Sequence, residues 1–169
     1  MSEPALHFSI PFAILAFAGL GPNVCFLASA MALAPDLDVL FRRHRSVTHS
    51  LLVYVPILAL AFFLRSPASQ ASDYLMAIWL AFTFHVLIDL LDGYCVALWP
   101  VLKDELSISM EVDVRFDSPF LILPKFGLKR RRFVAMPFEE LEARLATSLG
   151  LLISVLLVLL SLLHITRLL

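Results

Sequence analysis

The sequence predicts an all-α, multi-pass membrane protein with about four to five membrane helices and a small cytoplasmic β insert. Three observations carry that reading. Of 169 residues, 60% are hydrophobic and only 16% charged, whereas ordinary soluble domains carry ~25% charged residues. The apolar residues gather into long blocks, at 6–33, 51–64, 74–102 and 145–165, and the mean hydropathy is +0.90. Eleven of the 13 Lys and Arg residues fall in just two connecting segments, 39–45 and 103–144, the asymmetry that marks cytoplasmic loops.

The first block is too long for one crossing. A continuous helix over 4–35 would extend about 48 Å, against a hydrocarbon core of ~30 Å. The breaker cluster Gly19-Leu20-Gly21-Pro22-Asn23 therefore predicts a short hairpin of helices over 4–19 and 23–34. Such a reversal returns His7 to the side of Asp36 and Asp38; one kinked, tilted crossing is the alternative. Ala28-Ser29-Ala30 resembles a signal-peptide cleavage site, but no cation precedes Arg42, so the basic n-region of a signal peptide is missing.

The second block reaches spanning length only if Ser46-Val47-Thr48-His49-Ser50 joins it. This predicts one helix over 46–64, with Ser46 or Thr48 as N-cap and His49 in the first turn. The third block, between the short 65–73 turn and the basic 103–144 segment, then runs from outside to inside. Its His85, Asp89 and Asp92 come to the cytoplasmic end. In the last block, 147–163 is Leu-rich and uncharged, a membrane anchor.

The intervening segment alternates apolar and polar residues from Ser107 to Asp117, the period of a half-buried strand, and Phe120-Leu121-Ile122-Leu123 offers a hairpin partner. The run Lys129 to Arg132 reads as a topological and lipid-headgroup signal, worth ~1 kcal/mol per cation at an anionic leaflet. No nucleic-acid partner is expected. From Pro137 an amphipathic stretch leads into the final crossing. The chain thus divides into a membrane helical domain over 1–102, a β-containing insert over 103–136 and a C-terminal helix over 137–169. Cys25 and Cys95 lie in apolar stretches without C-x-x-C spacing and read as small core side chains.

The functional signal is polar. Asp36, Asp38, His44, His49, His85 and Asp89 all lie inside or beside apolar segments, where an Asp costs about 2.5 to 3.5 kcal/mol even on insertion scales. His85 and Asp89 are spaced i, i+4, with Asp92 at i+7, so one helix face carries all three. Helical bundles build metal sites from such pairs. Asp36 and Asp38 alternate in a Pro35 turn, where both carboxylates can reach one ion or bridge two. A lone His-x-x-x-Asp pair is more often an interhelical contact than a ligand set, but six ligand-type residues on one membrane face reverse those odds. Mixed imidazole and carboxylate ligation suits zinc, with manganese or iron as alternatives.

The strings Pro35-Asp36-Leu37-Asp38, His44-Arg45-Ser46-Val47-Thr48-His49-Ser50 and His85-Val86-Leu87-Ile88-Asp89, preceded by His7 and followed by Gly93 and Leu98-Trp99-Pro100, resemble the small membrane-bound, metal-dependent hydrolases. These are also described as LexA-regulated or LexA-binding inner-membrane hydrolases. The resemblance covers about residues 4–102, and the family is more distantly similar to zinc-dependent phospholipase C and nuclease folds. It implies an inner-membrane enzyme that hydrolyses a phosphoester of a lipid or lipid-linked substrate at the cytoplasmic face. The ligand set expected on this basis is His7, Asp36, Asp38, His49, His85 and Asp89, for one or two divalent ions, zinc first. Asp92 or His44 would serve as general base or outer-shell partner, and Arg45 would receive phosphate. Two other classes fit the same residues: a non-catalytic membrane scaffold or regulator, and a small transporter or proton-relay subunit.

Overall fold

The computed structural model describes residues 3–41, 47–65, 70–115, 121–132 and 147–168. Helix α1 (Pro4–Phe17) opens with proline in its first turn, where the missing N–H has no helical partner to lose. It ends in a two-bond reversal: Gly19 N–H donates to Ala16 O at 3.0 Å and Leu20 N–H to Leu15 O at 3.2 Å. Gly19 adopts φ +83°, a left-handed conformation that a side chain disfavours. Pro22 then starts α2 (Pro22–Met31), which packs back on α1. The first apolar block is thus two helices.

Helix α2 stops at Met31, short of the expected 34, and the chain tightens into 3₁₀ geometry over Ala34–Phe41. Pro35 explains the early end. Its ring offers no N–H to the carbonyl four residues back, that of Met31, and it pushes Ala34 away from α conformation.

The single helix expected over 46–64 is replaced by two 3₁₀ turns, Val47–His49 and Leu51–Tyr54, followed by α3 (Val55–Phe63). The described cap is Ser50 rather than Thr48, and Ser46 lies outside the described residues. Ser50 Oγ accepts from Leu52 N–H at 3.3 Å and donates to Trp99 O at 2.6 Å. Pro56 accounts for the delayed start, since in a helix begun at 46 it would sit in the interior at a cost of about 3 kcal/mol, whereas in α3 it occupies the first turn.

Helix α4 (Gln70–Asp92) and helix α5 (Ser148–Leu168) are the two described helices long and apolar enough to cross a membrane. Thr147 caps α5, its Oγ1 accepting from Gly150 N–H at 3.1 Å. Helix α5 packs along α1, with Ser9 Oγ donating to Ser154 Oγ at 3.1 Å inside the contact. Helices α1, α2 and α4 close around Phe12, Leu15, Cys25, Ala28, Ala77 and Ala81; the small residues let the helices approach closely. A second cluster joins α4 to the turn before α3 and to the segments after α4 through Tyr54, Phe82, Val86, Leu90, Cys95 and Leu106. Both cysteines are buried and neither is in a disulfide.

Strands β1 (Asp104–Arg115) and β2 (Leu121–Arg132) form the antiparallel hairpin, in register from Asp104 opposite Arg132 to Arg115 opposite Leu121. It is longer than the alternating stretch alone suggested, because the basic run lies within β2. Arg130 and Arg131 pair with Asp104 and Glu105 of β1, and the Arg131 guanidinium stacks 4.2 Å above the Tyr94 ring. The hairpin is pinned to the C-terminal end of α4: Leu106 bridges Cys95, and Ser107 Oγ donates to Leu90 O at 3.4 Å. The amphipathic stretch expected over 138–145 lies outside the described residues.

Candidate metal centre

Four segments deliver one buried polar cluster to the C-terminal end of α4. Helix α1 supplies His7, the 3₁₀ stretch after α2 supplies Asp36 and Asp38, the turn before α3 supplies His49, and α4 supplies His85 and Asp89. His7, His49, His85 and Asp89 are completely buried. The Asp36 side chain, by contrast, retains 21% of its exposure.

Asp36, His49, His85 and Asp89 present ligand atoms that all lie within 4.8 Å of one another. His49 Nε2 is 3.5 Å from Asp36 Oδ1 and 3.2 Å from Asp89 Oδ2. His85 Nε2 repeats the pattern, at 3.5 Å from Asp36 Oδ1 and 3.3 Å from Asp89 Oδ2. Two imidazoles and two carboxylates therefore alternate around a closed ring. His85 Nε2 makes no hydrogen bond despite lying between two carboxylates, an arrangement that would be costly for a buried nitrogen with nothing to coordinate.

Asp38 and His7 flank the ring. In a 3₁₀ helix, with ~3 residues per turn, positions i and i+2 point to different faces. Asp36 accordingly meets the Nε2 side of His49, while Asp38 Oδ2 lies 3.3 Å from His49 Nδ1. Thr48 Oγ1 donates to the same Asp38 oxygen at 2.8 Å, and Tyr54 O–H donates to the Thr48 carbonyl. His7 meets His85 through their Nδ1 atoms and turns its Nε2 towards Asp89 Oδ1, 3.8 Å away.

The charges are coupled. Burial opposes the cationic form of His49, yet contact with Asp36, Asp38 and Asp89 raises its pKa to about 10. Burial likewise opposes the Asp36 carboxylate, but His49, His85 and His7 hold its pKa below the usual value.

Of the remaining expected residues, Asp92 ends α4 with an exposed side chain, outside the ring. The i, i+4, i+7 spacing is intact, but the third position lies past the packed part of the helix. His44 and Arg45 lie outside the described residues. Sequence reasoning missed Thr48 and Tyr54. Thr48 lies within the H-R-x-x-T-H-S string and was noticed only as a capping residue; Tyr54 had no comparable signal, because its role depends on a tertiary approach.

No curated protein and no solved structure matches the chain. The model of one protein family does match, over residues 4–168, and so takes in both apolar helices long enough to cross a membrane, the whole cluster and the β hairpin. The chain belongs to the YdjM inner membrane protein family.

Proposed function

We propose that the chain is a membrane-embedded, metal-dependent hydrolase that acts on a phosphoester of a lipid or lipid-linked substrate at the cytoplasmic interface. The ring of Asp36, His49, His85 and Asp89 carries this reading. At zinc bond lengths of ~2.0–2.2 Å, neighbouring ligand atoms of a tetrahedron stand about 3.4 Å apart. Four such edges measure 3.2, 3.3, 3.5 and 3.5 Å. The ring is thus sized for one small divalent ion, and its two imidazoles argue against calcium. Four protein donors fill a tetrahedron, so the Lewis-acid polarisation and the water of lowered pKa that such an ion would supply when bound require a further position, or release of one donor, on the Asp36 side.

The chain's own residues provide the rest. Among the described residues of the ring, Asp36 is the partly exposed one and would be the side from which a substrate approaches, while His49, His85 and Asp89 are buried. Arg45 would receive the phosphate, and His44 or the exposed Asp92 would exchange the proton. In this reading α1 and α2 form a short hairpin in the bilayer beside α3, α4 and α5, which gives the four to five membrane helices, and the segments 39–45 and 103–144 face the cytoplasm.

The test pairs metal with turnover. Purified protein should contain about one divalent ion per chain, and Asp89→Asn should lower metal content and phosphoester hydrolysis in parallel, while His164→Gln should alter neither. Full metal content in well-folded Asp89→Asn would reduce His85 and Asp89 to an interhelical contact. One observation favours a second reading: Asp38, His49, Asp89, His85 and His7 form a continuous buried chain of acids and imidazoles, as a proton relay requires. Metal-free protein that conducts protons in liposomes would support the relay against the hydrolase.

A further inference from the structure

Each ring imidazole has a second nitrogen, and the structure gives each of those a separate partner. We infer that Asp38 and His7 are positioning residues that fix the tautomers of His49 and His85, and that neither is a metal ligand. The inference rests on reading the ring as a metal site and extends it to the residues behind it.

For His49 to offer a lone pair at Nε2, its proton must sit on Nδ1. That nitrogen lies 3.3 Å from Asp38 Oδ2 and 3.2 Å from Thr48 Oγ1; with the Thr48 proton given to Asp38, both oxygens can accept, and the carboxylate has the right charge. Thr48 donates to that carboxylate oxygen at 2.8 Å, and Tyr54 anchors the Thr48 carbonyl. Asp38 is therefore held from behind, on the far side of His49 from the ring. A carboxylate so placed orients the imidazole and raises its basicity, as carboxylate partners of metal-bound histidines do.

His85 follows the same logic with a neutral partner. With its Nε2 turned to Asp36 and Asp89, its proton resides on Nδ1, which meets His7 Nδ1. His7 Nδ1 must then accept, so the His7 proton lies on Nε2, the nitrogen 3.8 Å from Asp89 Oδ1. That oxygen is the one Asp89 does not present to the ring. One tautomer assignment thus serves the Nδ1 atoms of all three histidines, directs the Nε2 lone pairs of His49 and His85 into the ring, and leaves His7 Nε2 facing Asp89 Oδ1 at 3.8 Å, beyond hydrogen-bond distance.

The experiment is Co(II) titration of the full chain in detergent, followed by visible absorption. Asp38→Ala and His7→Phe should each weaken affinity by about 10- to 100-fold while keeping the band shape and 1:1 stoichiometry of the wild type. Asp36→Ala, which removes a ring atom, should change the band itself. Asp38→Asn keeps an acceptor for the His49 proton, so it should bind between Asp38→Ala and wild type with an unaltered band, and it decides the matter if Asp38→Ala does not fold. A band in Asp38→Asn or His7→Phe altered like that of Asp36→Ala would make that residue a ligand and overturn the inference. Wild-type affinity in Asp38→Ala or His7→Phe would overturn it too. Failure of the wild type to take up Co(II) would instead remove the metal site on which the inference rests.

Discussion

At the scale of single residues, a carboxylate meets an imidazole here in two different relations, and the difference is one of nitrogen. Asp36 and Asp89 lie on the Nε2 side of His49, Asp38 on the Nδ1 side. The sequence Asp36-Leu37-Asp38 presents two equivalent acids; 3₁₀ geometry assigns them to opposite ends of one ring. The same charges make His49 pH-sensitive without metal. Its pKa of about 10 in the folded chain lies above the ordinary 6.5, so its protonation stabilises the metal-free fold fully below pH 6.5, and that contribution disappears as pH rises towards 10. A metal ion needs His49 deprotonated and therefore competes with this proton. At a fixed free metal concentration, the rise in melting temperature on adding Zn(II) in detergent should grow as pH increases from 6.5 to 9. A metal-induced rise that stays flat over that range would mean that His49 is not displaced from its proton by metal.

At the scale of elements, prolines and small polar caps decide where helices stop, and these stops place the site. Pro35 ends α2 in time for Asp36 and Asp38 to lie in a tight turn, and Pro56 delays α3 so that His49 precedes it. Ser50 joins this turn to the 97–99 segment, because its buried hydroxyl donates to Trp99 O while Leu51 N–H donates to Ala97 O at 3.0 Å. Ser50→Ala should cost about 1 to 2 kcal/mol through one lost hydrogen bond and one lost cap, read as a lower denaturation midpoint, and should weaken metal binding because His49 is the preceding residue. An unchanged midpoint would show that the Leu51 bond alone secures the turn. The helical hairpin of the first block and the strand pairing of the insert were legible beforehand, since chain length and period-2 alternation are local signals. The helix over 46–64 was not, because hydropathy outweighed Pro56 in that reading. The split roles of Asp36 and Asp38 were also hidden, since they depend on where His49 arrives from another segment.

At the scale of the molecule, charge and polar chemistry point to the same end of the bundle. His85 and Asp89 lie in the last two turns of α4, and the β hairpin, with Arg130 and Arg131, is pinned to that same end through Leu90, Cys95 and Leu106. Eleven of the 13 Lys and Arg residues lie in segments 39–45 and 103–144, the first between Asp38 and His49 and the second after Asp89. The positive-inside rule therefore places the site's open edge, Asp36, at the cytoplasmic leaflet. It predicts that Gln70, at the other end of α4, and the end of α5 lie on the opposite side. Single cysteines at positions 43, 70 and 130 test this directly in intact and permeabilised cells. Both native cysteines are buried and should contribute little background. A membrane-impermeant maleimide should label position 70 in intact cells and positions 43 and 130 only after permeabilisation. Labelling of all three positions from one side would make α4 something other than a crossing. Labelling of 43 or 130 from outside would move the site to the outer face, and a phosphoester substrate would then have to reach it from the periplasmic leaflet.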